Sequence, residues 1–151
     1  MTKTLLIAAA LLTGLSAGLF TAFSYAVMPG LHRTSDAAFV ESMRAINVAI
    51  LNPVFGLIFA GAFIAATAAL VVGWSGSARP WLLAGVVLYV VGAFVVTSAV
   101  NVPLNDTLAA GKDSPAELRS AFENTWVIWN AIRAVLTTAA FGSILVGMLK
   151  V

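Results

Sequence analysis

The amino-acid sequence predicts an all-α membrane protein: a four-transmembrane-helix bundle with two long helical connections on one side. Two observations carry this reading. The 151-residue chain is 61% hydrophobic and 9% charged, with a mean hydropathy of +1.01, whereas soluble domains average about 25% charged residues. Four apolar stretches, roughly 5–28, 54–74, 81–100 and 126–149, are each long enough to cross a hydrocarbon layer ~30 Å thick. The length suits a single transmembrane domain over 1–151.

The first stretch follows Lys3 and carries small residues near Ser16 and Gly18. Its apolar run is too long for a signal peptide, so it is read as a retained helix. Ala10, Gly14, Gly18 and Ala22 recur at four-residue spacing along it. This ladder allows close approach of another helix, either within the bundle or from a second copy in a homo-oligomer.

The connections are unequal. The second, 75–80, is a tight turn flanked by Trp74 and Trp81, residues suited to a membrane interface. The first, about 29–53, and the third, about 101–125, are long and lie together on the opposite side. Asp36 is read as the cap of a helix in the first connection, with Val40, Met43, Asn47 and Ile50 on one stripe. Asn52-Pro53 then reads as an N-cap and first helical position for the second span. Ser114-Pro115-Ala116-Glu117 is a capping box, and it starts a helix expected to run from Pro115 to about Leu149. Its first turns project beyond the membrane core. Met28-Pro29 is expected to break the first span, and Pro103 to end the third.

Charge bears weakly on orientation. Lys3, Arg79 and Lys150 lie on the short-turn side, against Arg33, Arg44, Lys112 and Arg119 with all six acids on the other. The reading favours both termini in the cytoplasm, in a bacterial inner (plasma) membrane.

Composition also excludes chemistry. Cysteine is absent, which removes disulfides, Cys-ligated zinc and iron–sulfur clusters. With His32 the single histidine, a multi-histidine metal site cannot form within one chain. The pI is near 9.4 at a net charge of only +2, with no basic run, so nucleic acid is not an expected partner. Membrane lipids are.

The remaining polar residues gather at one end. Trp126, Asn130, Arg133 and Thr137 share one face of the fourth helix, continued outward by Phe122 and Leu118. Arg133 is expected about 10 Å inside the membrane entry, where a guanidinium needs an anion or several acceptors. Glu41, Asp106, Glu123, the nearby amides and an anionic ligand are the candidates. Asn101 and Asn105 flank Pro103, while Asn47, Asn52 and His32 approach from the first connection. Amides both donate and accept, so this set can orient a phenol or carbonyl, and Trp126 and Trp129 can wall the rings.

Plainer roles exist for most of these residues. Asn52 is better read as a cap than as a ligand contact. Asn101 and Asn105 can satisfy backbone freed by Pro103, Trp126 and Trp129 can be interface anchors, and His32 can be a loop residue. Met28 and Met43 are packing residues rather than copper ligands. Arg133 is the exception, because an intramembrane charge is a functional hypothesis by default. Its structural alternative is a salt bridge to Glu41 or Asp106.

Four features together resemble the anthrone oxygenase family of four-helix integral membrane proteins. They are Met28-Pro29, then Asn47 with Asn52-Pro53, then Asn101-x-Pro103-x-Asn105, and finally Trp126-x-x-Trp129-Asn130-x-x-Arg133. The resemblance implies the four-helix fold. For some members it implies oxidation of an anthrone, or a similar quinol-like aromatic, to the quinone by molecular oxygen without a dedicated cofactor. Such chemistry needs a base, a cation or donors for an enolate, and a dry aromatic pocket. Arg133 suits the enolate. Asn47, Asn101, Asn105 and Asn130 suit the substrate's oxygens, with Trp126 and Trp129 against its rings. His32, Glu41 and Asp106 are the candidate bases. The competing readings are a carrier of a lipid or small amphiphile gripped by Arg133, and a structural subunit of a membrane complex.

Overall fold

Long helices dominate because the apolar runs contain few breakers, and in lipid each backbone N–H must be satisfied within its own helix. The computed structural model describes residues 2–151. Among these, four helices are long and apolar enough to cross a membrane: Lys3–His32, Pro53–Val72, Arg79–Ala110 and Pro115–Met148.

Two of the four contain a proline beyond their first turn and yet do not break. The first comprises α1 (Thr2–Ala22), a π-helical segment (Phe23–Val27) and α2 (Met28–His32). The third comprises α5 (Arg79–Tyr89), π-helical segments Val90–Val95 and Thr97–Asn101, and α6 (Val102–Ala110). Just before Pro29, the Met28 N–H reaches back five residues to the Phe23 carbonyl. Just before Pro103, the Val102 N–H likewise reaches the Thr97 carbonyl. Each widened turn accommodates the proline ring, and the helix rewinds with proline in its first turn. The expected break at Met28-Pro29 and the expected end at Pro103 are therefore both corrected: the chain stays helical to His32 and to Ala110.

The caps follow the sequence more closely. Asn52 Oδ1 accepts from the Val54 and Phe55 N–H groups at 3.0 Å, starting α4 (Pro53–Val72). Ser114 and Glu117 form the capping box of α7 (Pro115–Met148). For α3 (Asp36–Ala49) the cap is Ser35, not Asp36. Ser35 has the extended backbone a cap requires and its Oγ accepts from the Ala38 N–H. Asp36 instead accepts from Arg119 at 3.0 Å.

Arg119 ties the first connection to α7. It also donates to the Thr34 and His32 carbonyls and to Glu123, and its guanidinium sits 4.7 Å above the Phe39 ring. His32 Nδ1 lies 2.7 Å from Glu123. Arg44, on α3, donates to the Leu108 and Gly111 carbonyls, satisfying the C-terminal end of α6.

Inside the bundle, α1 packs on α4 and α7, and α5 with the π-helical segment Val90–Val95 packs on α7. Glycines permit the last approach. A Cβ on Gly85 would lie 2.8 Å from Ile144, and one on Gly92 would lie 2.7 Å from the Leu136 Cβ. The small-residue ladder of α1 is divided: a Cβ on Gly14 would meet Phe141 of α7 at 3.2 Å, while Gly18 has open space beside it. Leu11, Leu15, Leu57, Ile64 and Val135 are exposed on the outer surface, as expected for a lipid-facing shell.

Candidate functional site

At the end of the bundle carrying the long connections, the small residues of the interior give way to a cavity of about 500 Å³. That is the size of a pocket for a drug-sized ligand, ~300–1,000 Å³. Leu19, Phe20 and Phe23 form one wall, and the end of α3 with Phe55 forms another. Thr97, Asn101, Val102, Asn105 and Asp106 form the third, with Trp126 and Arg133 contributed by α7.

Arg133 is buried. Its Nε donates to Asn130 Oδ1 at 2.9 Å and its Nη1 to Thr97 Oγ1 at 3.2 Å. The guanidinium carbon lies 4.2 Å from the Phe20 ring centroid and 5.3 Å from that of Trp126. Among the described residues it makes no ion pair: Glu123 is held by Arg119 and His32, and neither Glu41 nor Asp106 takes part in a described pair. Of the candidate partners, an amide rather than a carboxylate holds it, and the salt bridge to Glu41 or Asp106 gives way to neutral acceptors and two aromatic faces. Cation–π contact strengthens when both groups are desolvated, but net positive charge remains beside the cavity.

Asn130 does not line the cavity. It is fully buried behind it, with Nδ2 donating to the Phe20 carbonyl at 3.1 Å and to Ser24 Oγ at 2.8 Å. Its oxygen is therefore turned toward Arg133. Trp126 Nε1 donates to Asn105 Oδ1 at 2.9 Å, and its ring packs against Phe23 and Phe122.

Asn101 is different. It is 1% exposed, lines the cavity, and neither its Nδ2 nor its Oδ1 has a hydrogen-bond partner. Asn47, on the opposite wall, likewise has an unpartnered Nδ2. Buried polar groups are nearly always bonded, and each unsatisfied one costs about 1–3 kcal/mol. Unpartnered amide donors, an unpartnered amide acceptor and a cation thus belong to residues of the cavity wall.

The residues singled out in the sequence divide cleanly. Asn47, Asn101, Asn105, Asp106, Trp126 and Arg133 meet at the cavity, with Asn130 directly behind. Trp129 and Glu41 are exposed and off the lining, and His32 belongs to the Arg119 cluster. Sequence reasoning missed Thr97, Arg44 and the Phe20/Phe23/Phe55 walls. The aromatics carry no sequence signal separating wall from core. Thr97, four residues before Asn101, carried such a signal. Among the described residues no three His, Cys, Asp or Glu side chains gather as a metal site.

A family model described as anthrone oxygenase matches residues 43–143, more than half of the chain and most of the residues that build the cavity. No curated protein and no solved structure matches the chain.

Proposed function

Because the chain belongs to the anthrone oxygenase family, we propose that its cavity binds an anthrone- or quinol-like aromatic and promotes the oxidation of that ring system by molecular oxygen. The observation that carries this reading is Asn101, buried with both polar atoms free, on a cavity that also holds a cation without a carboxylate partner. The vacant hydrogen bonds match a ligand with ring oxygens, and the positive charge matches one that becomes an anion.

The chemistry follows from that pairing. For an anthrone, a base removes a proton from the methylene carbon of the central ring, and the resulting enolate oxygen is stabilised by Arg133 and the Asn101 amide. The electron-rich anion passes an electron to O2, and the two radicals join in a carbon–oxygen bond. The hydroperoxide then loses water to leave the new carbonyl. One oxygen atom stays on the ring, and the other leaves with both methylene hydrogens, so O2 takes up the four electrons that the carbon gives up. Of the three candidate bases, Asp106 is the one supported by a position on the cavity wall. Phe20, Phe23 and Trp126 provide the dry aromatic surround.

Aerobic and anaerobic turnover of a small anthrone panel by purified protein tests the proposal. Arg133→Ala and protein-free controls are essential, because anthrones oxidise spontaneously. Oxygen-dependent quinone formation above background, lost in the variant, supports it. Binding of the rings without turnover would favour the carrier reading instead. The same proposal includes a bacterial inner membrane with cytoplasmic termini. Ser77 Oγ donates to the Lys150 carbonyl at 2.9 Å, so the short turn and the carboxyl end share one side.

A further inference from the structure

The cavity has a mouth, and the residues around it differ from those in the interior. The seam between α4 and the third helix is zipped by aromatic rings: Phe94 lies 4.6 Å from Phe59 and 5.5 Å from Phe63, centroid to centroid. Beyond that zipper the seam parts, with Phe55 and Leu51 on one lip and Val102 on the other, all lining the cavity. Leu51 is 78% exposed and Val102 42% exposed. The two lips belong to stretches without a single charge, 45–78 and 80–105. Besides Arg133 in the interior, the charged side chains of the lining are Arg44 and Asp106, at its outer end. A mouth leading to water would show polar lips, since large apolar side chains exposed together cost free energy there.

Resting on the ligand reading above, we propose that the cavity loads sideways from the hydrocarbon layer, through the seam between Leu51/Phe55 and Val102. Its ligand is then an aromatic that partitions into the bilayer. The rings pass between the lips toward Asn101 and Arg133, and any apolar substituent trails into lipid. Arg44 and Asp106 stand at head-group level and favour a ligand with polar groups at both ends of its ring system.

The absence of cysteine makes single-cysteine spin labelling clean. Nitroxides at Leu51→Cys and Val102→Cys, in lipid nanodiscs, are expected to be relaxed by dissolved oxygen and shielded from a water-soluble nickel chelate. They should resemble a label at Ile64→Cys on the outer apolar surface, and a label at exposed Glu41→Cys should show the reverse. Lip labels that follow the Glu41 pattern would overturn the lateral route. A second arm follows loading of an alkyl-tailed anthraquinone from the bilayer by tryptophan quenching. Leu51→Phe and Val102→Phe, on different helices, should each slow loading several-fold while equilibrium affinity changes much less. Unchanged rates in both folded variants would sink the route but leave the ligand reading standing. Failure of the wild-type protein to bind the probe at all would sink the ligand reading, whatever the labels report.

Discussion

The Oδ1 atom of Asn130 accepts a hydrogen bond from Arg133 Nε at 2.9 Å, while the Nδ2 of the same amide is spent on the Phe20 carbonyl and Ser24 Oγ. A neutral side chain one turn away on α7 therefore aims the guanidinium, and α1 aims the amide in turn. Arg133 keeps its full charge for the cavity because what orients it carries none.

Asn130→Asp should exploit that arrangement. A carboxylate at this position would pair with Arg133 and cancel the field that favours an anionic ligand. Affinity for an ionised phenolic probe should fall far more than affinity for its neutral methyl ether, measured side by side in nanodiscs. Equal losses for both probes would show that Asn130 acts only through packing.

Arg133→Ala should leave a folded, extractable protein. No buried carboxylate is abandoned when the cation goes, unlike the 3–5 kcal/mol penalty typical of breaking a buried ion pair. Loss of charge-assisted hydrogen bonds, each about 1.5–3 kcal/mol, should weaken binding of an anionic probe roughly ten- to hundredfold. Aggregation on extraction would point to a structural role instead.

Asn101→Leu should move stability and binding in opposite directions. The native amide has no hydrogen-bond partner in the protein, so an apolar side chain of the same branched shape removes an unsatisfied group and gains about 1–3 kcal/mol. Thermal unfolding in detergent should rise while affinity for a ring carbonyl falls. A lower melting temperature would mean that Asn101 contributes to the fold.

Gly92→Ala should be costly although alanine is the better helix former. The added Cβ would sit 2.7 Å from Leu136 Cβ and 3.4 Å from the Thr137 nitrogen, so backbone must move, and overpacking of this kind costs about 1–3 kcal/mol. Gly18→Ala, facing open space, is the control and should be neutral or mildly stabilising by the same thermal assay.

A cysteine at Ser77 reports orientation. With cytoplasmic termini, Ser77→Cys should resist an impermeant thiol reagent in intact cells and react once the membrane is permeabilised. Labelling before permeabilisation would reverse the topology.

Much of this was legible in the sequence because the signals were local. Asn52-Pro53 and Ser114-Pro115-x-Glu117 are read within four residues, and both caps form as expected. The 126/130/133/137 face follows from helical periodicity alone. The two prolines misled because a proline does not announce whether its helix will end or widen, and that choice depended on the packing of the turns before it. Arg133 was read as needing an anion or several acceptors, with three carboxylates and the nearby amides as candidates; the amide of Asn130 is its partner, together with Thr97 and the rings of Phe20 and Trp126. Three of those four come from an interhelical arrangement or a ring orientation that no spacing encodes. The close approach of the third helix to α7 also escaped, since Gly85 and Gly92 stand seven apart with no motif to mark them.

The widened turns before Pro29 and Pro103 have a mechanical consequence. An α-helix advances about 100° per residue, and a π-turn takes in one residue more than an α-turn. Each such turn therefore rotates everything beyond it by roughly that angle relative to an unbroken helix. The membrane-buried and cavity-building parts of the first and third helices are thus clocked independently. Deleting one residue from Thr97–Asn101 would swing Asn105 and Asp106 about a quarter-turn around the helix axis while Tyr89 and Gly92 stayed in register. The bundle's packing and the orientation of its polar end can change separately, with the wide turn as the joint between them.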